Sequence, residues 1–404
     1  MLEWLIIGGG IHGTYLANLL INQVGVGRDD LRILDPHENL LETWSRNTAN
    51  CGMHYLRSPA THNIDLPVLS LYRYARSPEG KPERDFIPPY NRPSLRLFQK
   101  HCAHVIAVNR LALLHIKDRV LALKKNAGDA IKIETGSGEL RSRNVLLAIG
   151  MGEQPNWPAW ALQLRQQGVD IQHLFAADFD RKALKDCERT FVIGGGITAV
   201  QVALKLAEER SGEIIVLSYH ELCERYYDFN PCWIGPKCLA DYYQLNYQKR
   251  RDVIDRERFP GSTPAEVLDA FMAAREQGNP EFRRGLVAAA APVDGRIRLE
   301  TDAGIEEADR ILLATGFLAQ RPGNPLVEQL ISEFDLACNS CGYPIVGRDL
   351  RWGEHIFVTG PLAELQVGPC ARNIIGARNA GRFLAAALGK YQAPSYKKQT
   401  NSNL

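Results

Sequence analysis

Two glycine-rich turns of one kind, about 185 residues apart, constrain this chain more than anything else in it. The first runs from Leu5 to Gly13 (LIIGGGIHG) and the second from Phe191 to Ala199 (FVIGGGITA). In each, an apolar strand enters glycines and leaves as a helix-like stretch. This is the G-x-G-x-x-G pattern, whose bare amides cradle a diphosphate at a helix N-terminus. One copy is a weak signal. Two copies point to a protein that holds two dinucleotides and passes electrons between them.

In the first unit Thr14 to Ile21 reads as a helix, and Leu31 to Leu34 as a short strand ending at Asp35, 22 positions after Gly13. That spacing suits a carboxylate accepting hydrogen bonds from an adenosine ribose. A turn used only for close packing is the plain alternative, and an acid in register argues against it. The second unit has a helix at Thr198 to Glu208 and a strand at Glu213 to Leu217. There Ala199 replaces the third glycine, and the strand runs into Ser218, Tyr219 and His220 without a carboxylate. No acid repels a 2′-phosphate, so NADPH is favoured over NADH. Arg225 is either a partner for that phosphate or an ordinary surface arginine. Two more strands end in small residues, Asn144 to Gly150 (NVLLAIG) and Asp309 to Phe317 (DRILLATGF), where the backbone can come close to a ligand.

A chain of 404 residues, 45% of them apolar, is long enough for two or three domains. Its 48 basic and 46 acidic residues balance, which argues against nucleic acid or an anionic membrane and for a small partner. The apolar amino terminus is broken by Glu3 and followed at once by glycines, so it reads as a buried strand and not a signal peptide. Nine cysteines without an export signal fit a reducing cytoplasm. Cys338 and Cys341 form C-x-x-C, and Cys232 and Cys238 lie six apart. Neither pair has the setting of a flavin-linked dithiol or a zinc site, and no metal is expected.

From Leu2 to about Leu388 the chain resembles the class B flavin monooxygenases, the family of flavin-containing monooxygenases, Baeyer–Villiger monooxygenases and ornithine and lysine N-hydroxylases. The resemblance is carried in order by Gly8, Gly10 and Gly13, by Trp44 in LLETW, by Tyr55 to Pro59 (YLRSP), by Arg92 to Phe98 (RPSLRLF), and by His173 in VDIQHLFAADF. This last segment is similar to the family's F-x-G-x-x-x-H signature but lacks its phenylalanine and glycine. The resemblance implies an α/β fold of two Rossmann-like dinucleotide-binding domains, glutathione reductase-like, with NADPH bound in a domain inserted into a discontinuous FAD domain. The expected division is residues 1–160 and 308–390 for FAD, 161–307 for NADPH, and a disordered tail at 391–404.

The same resemblance puts Gly194, Gly196, Ala199 and Gln201 on NADPH, with His173 also at the cofactors and Thr315 and Gly316 forming the return to the FAD domain. The closing segment Ile356 to Leu388 has a turn at Gly360 and a helix from about Pro369. Related enzymes carry Gly-Asp at that turn, and here Pro361 stands in the acid's place. The helix start near Ala371, Arg372 and Asn373 is expected to aim its amides at the flavin, although its small residues also suit plain helix packing. Arg57, Ser58 and Asn63 are candidates for the flavin's reactive edge, and a structural loop with a paired arginine would look the same. Residues 222–286, rich in aromatics and charge, match no nucleotide unit. They read as a largely helical insertion, either a lid over the nicotinamide or a peripheral contact within a homo-oligomer.

The implied activity is NADPH-dependent monooxygenation of a small molecule by dioxygen through a C(4a)-hydroperoxyflavin, with N-hydroxylation of an amine or amino acid first among its types. Two other readings stay open: a flavin reductase or oxidase that inserts no oxygen, and a non-catalytic flavin-binding redox module.

Overall fold

A computed structural model describes residues 1–126 and 128–389; the segment 391–404, expected to be disordered, lies outside them. The amino-terminal domain opens with β1 (Leu2–Ile7), α1 (Ile11–Leu19) and β2 (Leu31–Asp35). It continues through α2 (Glu42–Asn50), α3 (Leu95–Val108) and the long strand β3 (Glu139–Leu147). β1 lies between β2 and β3 and is parallel to both. Both faces of β1 are therefore covered: Trp4 and Ile6 join a core with Leu16 and Phe98, and Leu5 and Ile7 join one with Val145 and Val358. α1 starts at Ile11 and gives way after Leu19 to a wider turn, three residues earlier at its start than the apolar pattern suggested.

The second domain contains β4 (Ile171–His173), β5 (Arg189–Ile193), α4 (Ile197–Glu209) and β6 (Glu213–Ser218). After β6 come α5 (Pro236–Tyr242), α6 (Tyr247–Glu257), α7 (Ala265–Glu276), β7 (Glu281–Arg284) and β8 (Arg310–Leu313). The sheet order is β7, β6, β5, β8, β4, and every pair is parallel. The chain then returns to the first sheet as β9 (Ile356–Val358), which pairs with the carboxyl half of β3, and ends in α8 (Ile374–Ala387).

Three sequence expectations shift. The return to the first domain falls after β8, at 314–317, and not at 308, because Ile311 to Leu313 pair with Phe191 to Ile193 in the second sheet. The insertion is shorter than 222–286. Phe271 of α7 is fully buried in the second domain's own core, and β7 is that sheet's edge strand, so the foreign segment is about 223–263. The last helix starts at Ile374 and not near Pro369, because Gly368 turns the chain at φ +93° after the short helix Glu364–Val367.

Candidate active site

Both glycine turns are built the same way at their first glycine. Gly8 has φ +109° and Gly194 φ +145°, and a Cβ on either would sit 2.6 Å from the carbonyl oxygen of Ala148 or Ala314. Only glycine fits there, and the two small-residue strand ends noted in the sequence supply the opposing backbone. Gly10 and Gly196 occupy the N-cap positions of α1 and α4, and neither helix receives a side-chain cap. Their first amides are left for an anion, with the helix dipole behind them.

Asp35 ends β2 as expected, but it also braces the turn. Its Oδ2 accepts from Gly9 N at 2.6 Å, and its Oδ1 accepts from His37 N at 3.0 Å. Trp44 on α2 packs against Phe98, ring centroids 5.2 Å apart. In the second unit a Cβ on Gly196 would lie 3.2 Å from Gly261 Cα, so the insertion's last loop walls this cradle, and Thr263 Oγ1 beside Ser262 is buried without a partner among the described residues. Ala199 is fully buried in α4, and so, at 5% exposure, is Gln201, one turn inside the helix and not at its mouth. Arg225 stacks on Phe259, its guanidinium carbon 4.2 Å from the ring centre.

The residues expected at the reactive edge are mostly engaged elsewhere. Arg57 gives its donors to the insertion: Nε to Tyr226 O (3.1 Å), Nη1 to Ser262 O (3.2 Å), and Nη2 to Arg225 O (2.8 Å) and Ser262 Oγ (3.1 Å). It is a clasp between domains, and burial holds its pKa below the usual arginine value. Ser58 follows it on the same loop, half-buried. Asn63 is fully buried and spends its amide on Ala60 O, Val68 O and Asp65 N. It fixes a loop. His173 also has protein partners. Its Nδ1 accepts from Phe175 N at 3.1 Å and its Nε2 lies 3.2 Å from Thr315 Oγ1, so it ties β4 to the return link. Thr315 in turn donates to Asn156 O at 2.5 Å, and Asn156 N donates to Gly316 O at 2.9 Å. The two chain crossings between domains are thus laced together.

Several participants gave little sequence signal. The insertion docks on the turn that follows Gly360. Tyr242 Oη donates to Leu365 O at 3.0 Å, and Arg250 Nη1 reaches Gln366 Oε1 at 2.8 Å. Glu364, 1% exposed, lies between Arg251 and Arg372. Burial alone would raise its pKa, and the two guanidinium groups bring it below the ordinary carboxylate value. Asn373, the N-cap of α8, donates to Asp228 of the insertion at 3.1 Å. Cys232 and Cys238 form a disulfide inside this arm, contrary to the expectation of unpaired thiols, while Cys338 and Cys341 are free. An open cleft of about 570 Å³ beside the Tyr55 loop carries Glu83 and Asp85 together with Arg84 and Arg96 on its wall, and Arg96 pairs with Glu83. These long-range contacts have no period or motif to betray them.

Two uncapped, glycine-lined helix starts under parallel sheets define a flavoprotein with two dinucleotide-binding domains. The residues fit both groups: each turn leaves its first helix amides for a diphosphate, and a Cβ at Gly10 would meet nothing within 4 Å. Residues 5–152 match a family model described as FAD-NAD(P)-binding, and residues 92–271 match that of L-lysine 6-monooxygenase/L-ornithine 5-monooxygenase. Among solved structures, the cadaverine monooxygenase DfoA of Erwinia amylovora matches at 13% identity and TM-score 0.74, over 100% of both chains. The ornithine hydroxylase PvdA of Pseudomonas aeruginosa, in its reduced form, matches at 16% and 0.73, over 96% of this chain and 98% of that one. The L-lysine 6-monooxygenase of Pseudomonas syringae matches at 18% and 0.72, over 96% and 99%. No curated protein sequence matches. At these identities the structures speak for the fold, and the lysine/ornithine monooxygenase match over residues 92–271 indicates an FAD- and NADPH-dependent monooxygenase. No helix among the described residues is long and apolar enough to cross a membrane.

Proposed function

We propose that the enzyme N-hydroxylates a small primary amine or amino acid: R–NH₂ + O₂ + NADPH + H⁺ gives R–NHOH + NADP⁺ + H₂O. The observation that carries this reading is the lysine/ornithine monooxygenase match across residues 92–271, which runs from the buried Arg92 through the whole insertion to α7. When bound, FAD supplies the chemistry, accepting hydride from NADPH and activating dioxygen.

The protein's own residues bind, orient and exclude water. The α1 and α4 amides hold the two diphosphates. Arg57, and Arg92 through its 2.7 Å ion pair with Glu266, fix the domains against each other. The insertion, clamped by Tyr242, Arg250 and Arg251, closes over the segment before α8 and limits solvent entry.

The test is to supply lysine, ornithine and cadaverine with NADPH and oxygen, and to compare hydroxylamine formed with NADPH consumed. Stoichiometric hydroxylamine from one of them supports the proposal. NADPH consumption that yields only peroxide with a broad amine panel favours the reductase or oxidase reading.

A further inference from the structure

His12 is the second residue of α1, and the binding of a diphosphate by the glycine turn gives its side chain no task. Its Nδ1 lies 2.9 Å from Thr359 Oγ1, just beyond β9, and its ring is what a Cβ on Gly360 would meet, at 3.7 Å. Its Nε2 is buried and has no hydrogen-bond partner among the described residues. Asn373, at the uncapped start of α8, has its Oδ1 in the same condition. Twelve buried side-chain polar atoms lack a partner among the described residues, but these two meet beside one cradle, where the Asn373 backbone bonds His12, and together they mark the place of a ligand's own polar groups.

The sheet sets which part of the ligand lies there. Along the strand ends the order is β2, β1, β3, β9. Asp35 at the end of β2 marks the adenosine side, and α1 after β1 takes the diphosphate. A dinucleotide laid across these strand ends therefore reaches β9 with the portion beyond the diphosphate, away from adenosine. In FAD that portion is the ribityl chain, whose hydroxyls donate hydrogen bonds. Both unpaired atoms suit such donors. Burial keeps His12 neutral, its pKa pushed down to about 4 despite a hydrogen bond to the Asn373 backbone. In the tautomer whose Nδ1 donates to Thr359 Oγ1, Nε2 keeps a free lone pair.

We propose that His12 Nε2 and Asn373 Oδ1 accept hydrogen bonds from the ribityl hydroxyls of FAD, so that a helix histidine anchors the flavin half of the cofactor. The proposal rests on the FAD reading, and its test separates the two. Apoprotein is titrated with FAD and, separately, with ADP, which carries the adenosine and diphosphate but no ribityl chain. Failure of the wild-type protein to bind FAD would overturn the FAD reading itself. Given wild-type binding, His12→Leu should weaken FAD by about tenfold and leave ADP within about twofold, as expected for one lost hydrogen bond to a buried group. His12→Gln, which keeps an acceptor, should recover most of the loss. Unchanged FAD affinity in His12→Leu overturns the proposal. So does a parallel fall in ADP affinity, which would trace the effect to the glycine turn, or a Gln variant as weak as Leu.

Discussion

The two halves of this molecule repeat one plan and diverge only around the turn. Each runs strand, helix, strand, then an outer parallel strand, an antiparallel ribbon and a last strand that closes beside the first. The opening glycines even meet the same obstacle at the same 2.6 Å, Ala148 in one half and Ala314 in the other. Beyond that point the halves differ. The first has Gly13, His12 and Asp35 where the second has Ala199, Thr198 and Ser218. Thr359 and Gly360 from the returning chain lie against the first turn, and Gly261 from the insertion lies against the second. The shared geometry provides for a diphosphate in general. Which dinucleotide sits where is set by the side chains at three positions and by what the rest of the chain lays over the turn.

The largest effect should come from making the first turn resemble the second. In Gly13→Ala the new Cβ would overlap the Gly8 carbonyl oxygen, backbone against backbone, so the turn must open. We expect loss of bound flavin and about 3 kcal/mol of stability, the upper end for overpacking. Flavin absorbance of the purified variant and its urea midpoint check this, and a yellow, fully stable Gly13→Ala protein would break the comparison.

Next in size is the clasp between the halves. Arg57→Ala removes four hydrogen bonds to Arg225, Tyr226 and Ser262, roughly 2 to 4 kcal/mol in all. Flavin reduction at saturating NADPH should slow, while FAD affinity, which we assign to the first half, should stay within about twofold. Stopped-flow reduction beside FAD titration tests this, and an equal loss in both would make Arg57 part of the flavin site after all.

Acid should separate the halves more gently. His12, His62 and His101 in the first and His173 in the second all have pKa values lowered to about 4 by burial. Unfolded imidazoles titrate near 6.5, so between roughly pH 6.5 and 4 the unfolded chain binds more protons. Stability is therefore full above about pH 6.5 and falls as pH drops towards 4. With three of the four groups, the first domain should loosen first, seen as earlier loss of hydrogen-exchange protection in β1 and α1 than in β5 and α4. The smallest effect is expected from Ala199→Gly, which gives the second turn the glycine of the first. It should cost about 1 kcal/mol of helix stability in a melting curve and leave the KM for NADPH within about twofold.

What could be read in the chain was whatever has a local cause. Gly8, Gly13 and Gly194 were visible because a turn that brings backbone against backbone excludes a Cβ, and Gly10 and Gly196 because they stand at the two helix starts. Asp35 was visible because the strand length fixes its distance from the turn. Less legible was the second domain's edge. α7 and β7 looked like part of the insertion until Phe271 and the register with β6 placed them in the nucleotide unit. The reactive-edge residues were the least legible. Arg57 and His173 have the chemistry of site residues, but the side-chain partners that engage them lie 205 and 142 positions away in the chain, while Asn63 is held by Ala60, Asp65 and Val68 beside it.

By itself the sequence determined two α/β dinucleotide-binding units, their order, and a flavoprotein resemblance running almost end to end. These follow from periodicity, glycine and small-residue positions, which act within a few residues. Only the tertiary structure decided that Arg57 is a clasp, that the insertion docks on Glu364 and Leu365, and that His12 turns an unpaired nitrogen inside the fold. Those outcomes depend on which distant backbone carbonyls and rings arrive beside a side chain once both sheets are closed, and no local pattern encodes that arrival.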